Sequence, residues 1–161
     1  MTAPVSIPAS VFTAGHGYAW SAQPAGIGRE AMDELYRKYG FFNEKTINVY
    51  MYGVDGLGEM RKLMAALRQE PPTEVGGIAV ARIRDYQTGD ITVPGLGVVE
   101  KTAIVGSNVL YFELTDGSNL VVRPSGTEPK IKMYVLARDE TAAGAAEKAD
   151  RIAAYAKGLA E

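Results

Sequence analysis

Cysteine is absent from the 161-residue sequence, and histidine occurs once, as His16. Without cysteine the chain has no disulfide framework, thiolate nucleophile or Cys-based metal site, which is compatible with a reducing cytosol. A single histidine excludes a zinc site built on a histidine pair, and a catalytic triad would have to use His16 itself. No apolar run approaches the ~20 residues needed to span a bilayer. The composition therefore favours a soluble protein, which we expect in the cytoplasm.

An excess of positive charge is also lacking, because 17 Lys and Arg residues stand against 19 Asp and Glu residues, for a formal net charge of -2. This balance argues against nucleic acids and other polyanions as partners bound through overall charge. Hydrophobic residues make up 47% of the chain and charged residues 22%, which suits one ordinary buried core. We therefore expect one compact domain with appendages, with neither nucleic acid nor a membrane as its partner.

The first 28 residues contain no Lys, Arg, Asp or Glu, and their prolines and glycines show no sustained periodicity. A secretory signal is not indicated, because a basic start and an unbroken apolar core are both lacking. We interpret residues 1–28 as an uncharged tail or linker.

The sequence from Arg29 onward predicts an α+β fold. Apolar residues recur at helical spacing over 29–39, 55–69 and 145–159. Strands are predicted near residues 45–52, 78–86, 109–114, 120–123 and 130–138. Asp116-Gly117 predicts a hairpin turn, and residues 87–107 predict a long loop or an irregular hairpin. We expect an antiparallel sheet of four to five strands with helices packed on one face.

The most specific feature is a short loop within residues 121–134, between two of these predicted strands. Two prolines bound the loop. Between them Ser125, Gly126 and Thr127 can direct successive backbone N–H groups to one point, since glycine tolerates φ values that other residues avoid. Convergent amides of this kind form a concave anion site. The two hydroxyl groups add further donors.

Two cationic side chains extend this predicted anion site. Arg123, at the end of the preceding strand, offers a planar fork suited to phosphate or carboxylate. Lys132 shares a strand face with Lys130 and Tyr134, so its ammonium group reaches the same concavity. The sequence therefore predicts a site for a dianion, formed by Arg123, Ser125, Gly126, Thr127 and Lys132.

Composition alone leaves a second interpretation of the loop open. Pro, Ser, Gly and Thr are ordinary turn residues, so the segment could be a solvated connection in which Arg123 pairs with Glu128.

Two other features also have two interpretations. The glycines of residues 53–58 fit either a helix start or a phosphate site, although their spacing matches neither the P-loop nor the dinucleotide-binding pattern. Six aromatic residues could form a sugar- or base-stacking platform or pack against a core or another domain: Tyr36, Tyr39, Phe41, Phe42, Tyr50 and Tyr52.

Residues 123–134 read Arg-Pro-Ser-Gly-Thr-Glu-Pro-Lys-Ile-Lys-Met-Tyr. This run closely resembles the phosphate-binding loop in the last domain of the α-D-phosphohexomutases, the phosphoglucomutase and phosphomannomutase superfamily. The resemblance is nearest to bacterial enzymes. It extends backward, in the family's order, through residues 34–42, 71–77, 84–89 and 107–110. It implies that residues 29–43 form a connecting helix from a preceding domain outside this chain, and that residues 44–161 form the C-terminal domain.

In that family the loop grips the sugar phosphate that is not being transferred. The resemblance therefore implies that Arg123, Ser125, Gly126 and Thr127 hold this phosphate, with Lys132 as a second basic residue. The family's serine, magnesium and sugar-binding loops are not found in this sequence. Residues 13–16, Thr-Ala-Gly-His, resemble the serine loop but carry glycine at the position of the serine.

The parent family consists of isomerases of carbohydrate metabolism that interconvert glucose 1-phosphate and glucose 6-phosphate by intramolecular phosphoryl transfer. The resemblance implies Mg²⁺ and a hexose 1,6-bisphosphate activator for the full-length enzyme, and no cofactor in this chain. We expect no catalytic residue here and no activity of the chain alone, whose partners would be a hexose phosphate and the upstream catalytic domains. The alternative is a stand-alone phosphosugar-binding module or subunit without catalysis of its own.

Overall fold

The computed structural model describes residues 27–52 and 55–159. The predicted tail therefore lies outside the described residues, apart from its last two positions. The chain divides into two compact units, residues 1–34 and 35–161. The sheet, two of the helices and the candidate site all belong to the second unit.

The described elements are α1 (Ile27–Tyr39), β1 (Phe41–Tyr50), α2 (Gly56–Gln69), β2 (Glu74–Val75), β3 (Ile78–Asp85), β4 (Asp90–Val93), β5 (Gly97–Lys101), β6 (Leu110–Leu114), β7 (Asn119–Pro124), β8 (Lys130–Asp139) and α3 (Ala142–Gly158). The strands pair antiparallel in the order β1-β8-β7-β6-β3-β4-β5, and β2 pairs with β3. The predicted α+β class and antiparallel sheet are confirmed.

The predicted count of four to five strands is wrong, because the described residues form a sheet of eight strands. The segment 87–107 forms the β4–β5 hairpin, which is the irregular-hairpin alternative. Glycines with positive φ at Gly89, Gly95 and Gly97 interrupt this segment, so its two strands are too short for a clear alternation of apolar residues. The other extra strand, β2, has only two residues and closes a tight turn with β3.

Helices α2 and α3 pack on one face of the sheet, over β1, β3, β6, β7 and β8, and the other face carries the candidate site. Along β8 the side chains of Ile131, Met133, Val135 and Ala137 are buried against the helices. The alternate residues, including Lys132, point to the opposite face, as the sequence predicts. The helices contribute Met60, Met64, Leu67, Ala149, Ile152, Ala153 and Ala156 to the same core.

A polar network holds the far end of β8 to α3. The ammonium group of Lys148 lies 2.9 Å from a carboxylate oxygen of Asp116 and 2.9 Å from one of Asp139. The hydrogen bond from Lys148, joined by the backbone N–H of Thr141, lowers the pKa of Asp139 to about 2. Asp116 belongs to the predicted Asp-Gly turn, which is confirmed by φ of 85° at Gly117. No helix within residues 27–52 and 55–159 is long and apolar enough to cross a membrane.

Candidate functional site

The candidate site lies at the β7–β8 connection, on the sheet face opposite the helices. In the β7–β8 ladder Arg123 is directly opposite Lys132, and in the β1–β8 ladder Lys132 is directly opposite Asn48. Directly opposed residues in antiparallel strands share a face, with Cα atoms about 5 Å apart. Asn48, Lys132 and Arg123 therefore form a polar row across three strands, and the two cations predicted from sequence are neighbours.

Neither cation of this row is paired with a carboxylate among the described residues. Across the part of the chain that the structure describes, the side chains of Arg123 and Lys132 make no ion pair and no hydrogen bond. The alternative in which Arg123 pairs with Glu128 is not observed, because the Glu128 carboxylate pairs with Lys130 instead. That pairing, with a smaller contribution from the charge of Lys132, lowers the pKa of Glu128. Two adjacent cations repel each other, so a bound dianion would relieve this repulsion.

The loop backbone only partly matches the predicted anion cradle. The Ser125 N–H donates to the carbonyl oxygen of Lys130 at 2.8 Å, which extends the strand ladder into the loop. This amide is therefore already used. The Thr127 N–H lies 3.5 Å from the Ser125 hydroxyl oxygen, at the long limit of a hydrogen bond. The Gly126 N–H has no hydrogen-bond partner among the described residues.

Gly126 differs from its expected role in its backbone conformation. It is not among the glycines with positive φ, so the local backbone conformation does not require glycine. A Cβ atom built at this position would meet nothing within 4 Å. The absence of a side chain therefore leaves open space over the loop backbone, where a ligand can approach closely.

The loop is attached to the end of β1 and to the start of α2. The Met51 N–H donates to the carbonyl oxygen of Pro129 at 2.8 Å. Gly56, the first residue of α2, is buried, and a Cβ there would lie 3.0 Å from Cβ of Pro129. The helix-start interpretation of residues 53–58 is confirmed, since α2 begins at Gly56, while residues 53 and 54 lie outside the described residues.

The six aromatic residues divide into two stacked pairs and two single side chains. Tyr36 stacks on Phe41 with ring centroids 4.4 Å apart, and both are half-buried. Tyr50 stacks on Tyr52 with centroids 6.0 Å apart and an angle of 26° between the rings. Tyr52 is 90% exposed, the largest value among the large hydrophobic side chains that the structure describes. Packing therefore accounts for the first pair, whereas the second pair lies open to solvent beside the loop.

The described residues add no further candidate from the sequence to this site. His16 and the Thr-Ala-Gly-His segment at 13–16 lie outside the described residues. Within the described ranges, no three His, Asp or Glu side chains are grouped to hold a metal ion. The carboxylates of Asp116 and Asp139 lie at the far end of β8 from this site, where both pair with the ammonium group of Lys148.

Asn48 is a site residue that sequence reasoning missed. The alternation of the predicted strand places Asn48, Tyr50 and Tyr52 on one face. Nothing in that pattern indicates which strand lies alongside. Only the β1–β8 register brings Asn48 next to Lys132.

Comparisons with known proteins show which family this chain resembles. The family described as "Phosphoglucomutase/phosphomannomutase, C-terminal domain" matches residues 63–154. A phosphoglucomutase of Staphylococcus epidermidis is 34% identical over 107 residues, which cover 66% of this chain and 19% of that protein. A probable phosphomannomutase of Haemophilus influenzae is 38% identical over 106 residues, which cover 66% of this chain and 18% of that protein.

Among solved structures, the open form of pp63/parafusin from Paramecium, titled a phosphoglucomutase, overlaps 82% of this chain and 22% of its own. It is 17% identical, with a TM-score of 0.47, and this loose overlap does not bear on function. The chain spans about a fifth of the length of the curated relatives it matches.

Proposed function

We propose a phosphate-anchoring function for this chain, which belongs to the phosphoglucomutase/phosphomannomutase C-terminal domain family. Its β7–β8 loop would hold the phosphate of a hexose phosphate that is not being transferred. The observation that carries the proposal is the pair of adjacent cations, Arg123 and Lys132, which have no carboxylate partner among the described residues and stand beside an open loop.

Each group at the loop has a distinct part in this proposal. Arg123 offers two parallel N–H donors to two phosphate oxygens, and Lys132 adds a point charge from the neighbouring strand. The free Gly126 N–H and the hydroxyl groups of Ser125 and Thr127 would complete the set of donors. A phosphate dianion would thereby meet two positive charges without displacing an existing ion pair.

Anchoring of this kind serves catalysis at a distance. Binding energy from a non-reacting phosphate orients the other end of the sugar toward the groups that transfer the phosphoryl group. In a phosphoryl-transfer enzyme, Mg²⁺ and cationic side chains stabilise the charge that develops on the transferring group. We infer that these groups belong to other domains of a cytoplasmic enzyme, so that this chain binds substrate without transforming it.

The experiment is a calorimetric titration of the chain with inorganic phosphate and with glucose 1-phosphate. Arg123→Ala removes a bidentate, charge-assisted contact worth about 1.5–3 kcal/mol, so both dissociation constants should rise about ten- to a hundredfold. Weak binding is expected even for the native chain, because one phosphate clamp is only part of a full cleft.

Arg151→Ala is the matched control, because Arg151 is an exposed arginine on α3. It lowers the net charge by the same amount and should leave both affinities unchanged. Equal affinities in the native chain and in Arg123→Ala would refute the assignment of the loop as the anchor.

A further inference from the structure

The stacked pair Tyr50 and Tyr52 occupies an unusual position for aromatic side chains. Tyr50 ends β1 and is 45% exposed, and Tyr52 follows it two residues later with 90% of its surface exposed. Aromatic rings bury large areas when they pack in a core, so a stacked pair left in solvent exposes a flat apolar surface. Because Tyr50 is contacted by Tyr52 and by Lys130, the ring with the most free surface is that of Tyr52.

Contacts with Pro129 and Lys130, at the end of the loop, connect the pair to the loop. The hydrogen bond from the Met51 N–H to Pro129 lies between the two tyrosines in sequence. Lys130 is directly opposite Tyr50 in the ladder, and its ammonium group lies 5.3 Å from the centroid of the Tyr50 ring. The same ammonium group pairs with Glu128 of the loop. Tyr50 therefore holds a set position relative to the loop, and Tyr52 stacks on Tyr50.

The strand register gives the spacing between Lys132 and Tyr50. Asn48 is level with Lys132, and Tyr50 follows Asn48 by two residues on the same face. Two residues of strand advance about 7 Å, and neighbouring strands lie about 5 Å apart. The Cα atoms of Tyr50 and Lys132 are therefore roughly 8 Å apart, a span that a hexose phosphate can bridge.

A pyranose ring has a face rich in C–H groups and a rim of hydroxyl groups. Such a face packs against an aromatic ring and releases water from both surfaces. We propose that Tyr52, supported by Tyr50, forms the binding surface for the ring of a hexose phosphate held at Arg123 and Lys132. This inference rests on the proposed function and deepens it. In this proposal Arg123 and Lys132 bind any phosphate, whereas the two tyrosines favour a phosphate that carries a sugar.

The test compares two ligands against one set of variants of the 161-residue chain. Native protein should bind glucose 1-phosphate more tightly than inorganic phosphate. Tyr52→Ala should weaken glucose 1-phosphate binding about three- to tenfold and leave the affinity for inorganic phosphate unchanged. Tyr39→Ala is the control, because Tyr39 is 49% exposed and precedes the opposite end of β1. It should change neither affinity.

Ring-proton NMR signals of Tyr50 and Tyr52 supply a second readout. These signals should shift with glucose 1-phosphate and not with inorganic phosphate. If Tyr52→Ala does not change glucose 1-phosphate binding, the proposed aromatic surface is refuted, while the proposed phosphate anchor is not. Tighter binding of adenosine monophosphate than of glucose 1-phosphate would also overturn it, in favour of a base-stacking surface.

The phosphate-anchoring proposal can be refuted independently of the aromatic surface. If Arg123→Ala binds both ligands like the native chain while Tyr52→Ala still weakens glucose 1-phosphate alone, the aromatic surface stands and the anchor is refuted. If glucose 1-phosphate causes no shift at either tyrosine and no heat at concentrations well above about 1 mM, a range where even weak ligands bind, both proposals are refuted.

Discussion

Gly76 and Gly77 form the turn between β2 and β3, and they differ in one respect that an experiment can isolate. Both have φ in the left-handed region, +57° and +81°. A Cβ atom at Gly76 would lie 3.0 Å from the backbone nitrogen of Ile152 and 3.1 Å from the carbonyl carbon of Arg151, both in α3. A Cβ atom at Gly77 would meet nothing within 4 Å. Alanine therefore strains the backbone at both positions but contacts the helix at only one.

The magnitudes follow from these contacts. The left-handed conformation costs alanine about 1–2 kcal/mol. Because alanine makes the unfolded chain less flexible than glycine does, about 0.4–1 kcal/mol of that cost is offset. Gly77→Ala should therefore destabilise the fold by roughly 1 kcal/mol. Gly76→Ala adds the repulsion of a backbone that cannot rotate away, an overpacking cost of about 1–3 kcal/mol. Its total should reach roughly 2–4 kcal/mol, because Ile152 and Val75 are fully buried where α3 would have to move.

Urea unfolding followed by circular dichroism measures both variants, with the free energy of unfolding extrapolated linearly to water. Gly77→Asn is the control for backbone strain, since asparagine tolerates the left-handed conformation and should lie closer to the native chain than Gly77→Ala. If Gly76→Ala and Gly77→Ala lower the free energy of unfolding by the same amount, the close approach of the turn to α3 does not affect stability, and the prediction is refuted.

Acid should destabilise the fold through Asp139. Its folded pKa of about 2 lies below its ordinary value of 3.8, so its contribution is complete above about pH 4 and is lost as the pH falls toward 2. Asp139→Asn should flatten the pH dependence of the urea midpoint in that range. Glu140→Gln, at an exposed position, should leave that dependence unchanged. Equal slopes of the urea midpoint against pH in the two variants would contradict this prediction. The purified chain should also form no glucose 6-phosphate from glucose 1-phosphate in a coupled assay, and turnover by material free of contaminating mutase would refute the proposed division of labour.

Local sequence patterns predicted the elements that depend on near neighbours. The alternation along β8 separates Ile131 and Met133 from Lys132, and the burial of these side chains confirms it. The Asp116-Gly117 turn is confirmed because glycine supplies the positive φ that the turn needs. The strands β4 and β5 were harder to predict, since each is short and bounded by glycines, and only pairing with a neighbour stabilises them.

The sequence by itself determined the chemistry of the β7–β8 loop, its cations and the face on which Lys132 lies, because residue type and strand alternation are local properties. The tertiary structure alone decided which groups meet there. Ladder pairing used the Ser125 amide inside the loop, placed Asn48 beside Lys132, and joined Pro129 to the backbone between Tyr50 and Tyr52. These contacts join segments far apart in sequence, and their register is set by burial of side chains from β1, β3, β6, β7 and β8 in one core with α2 and α3.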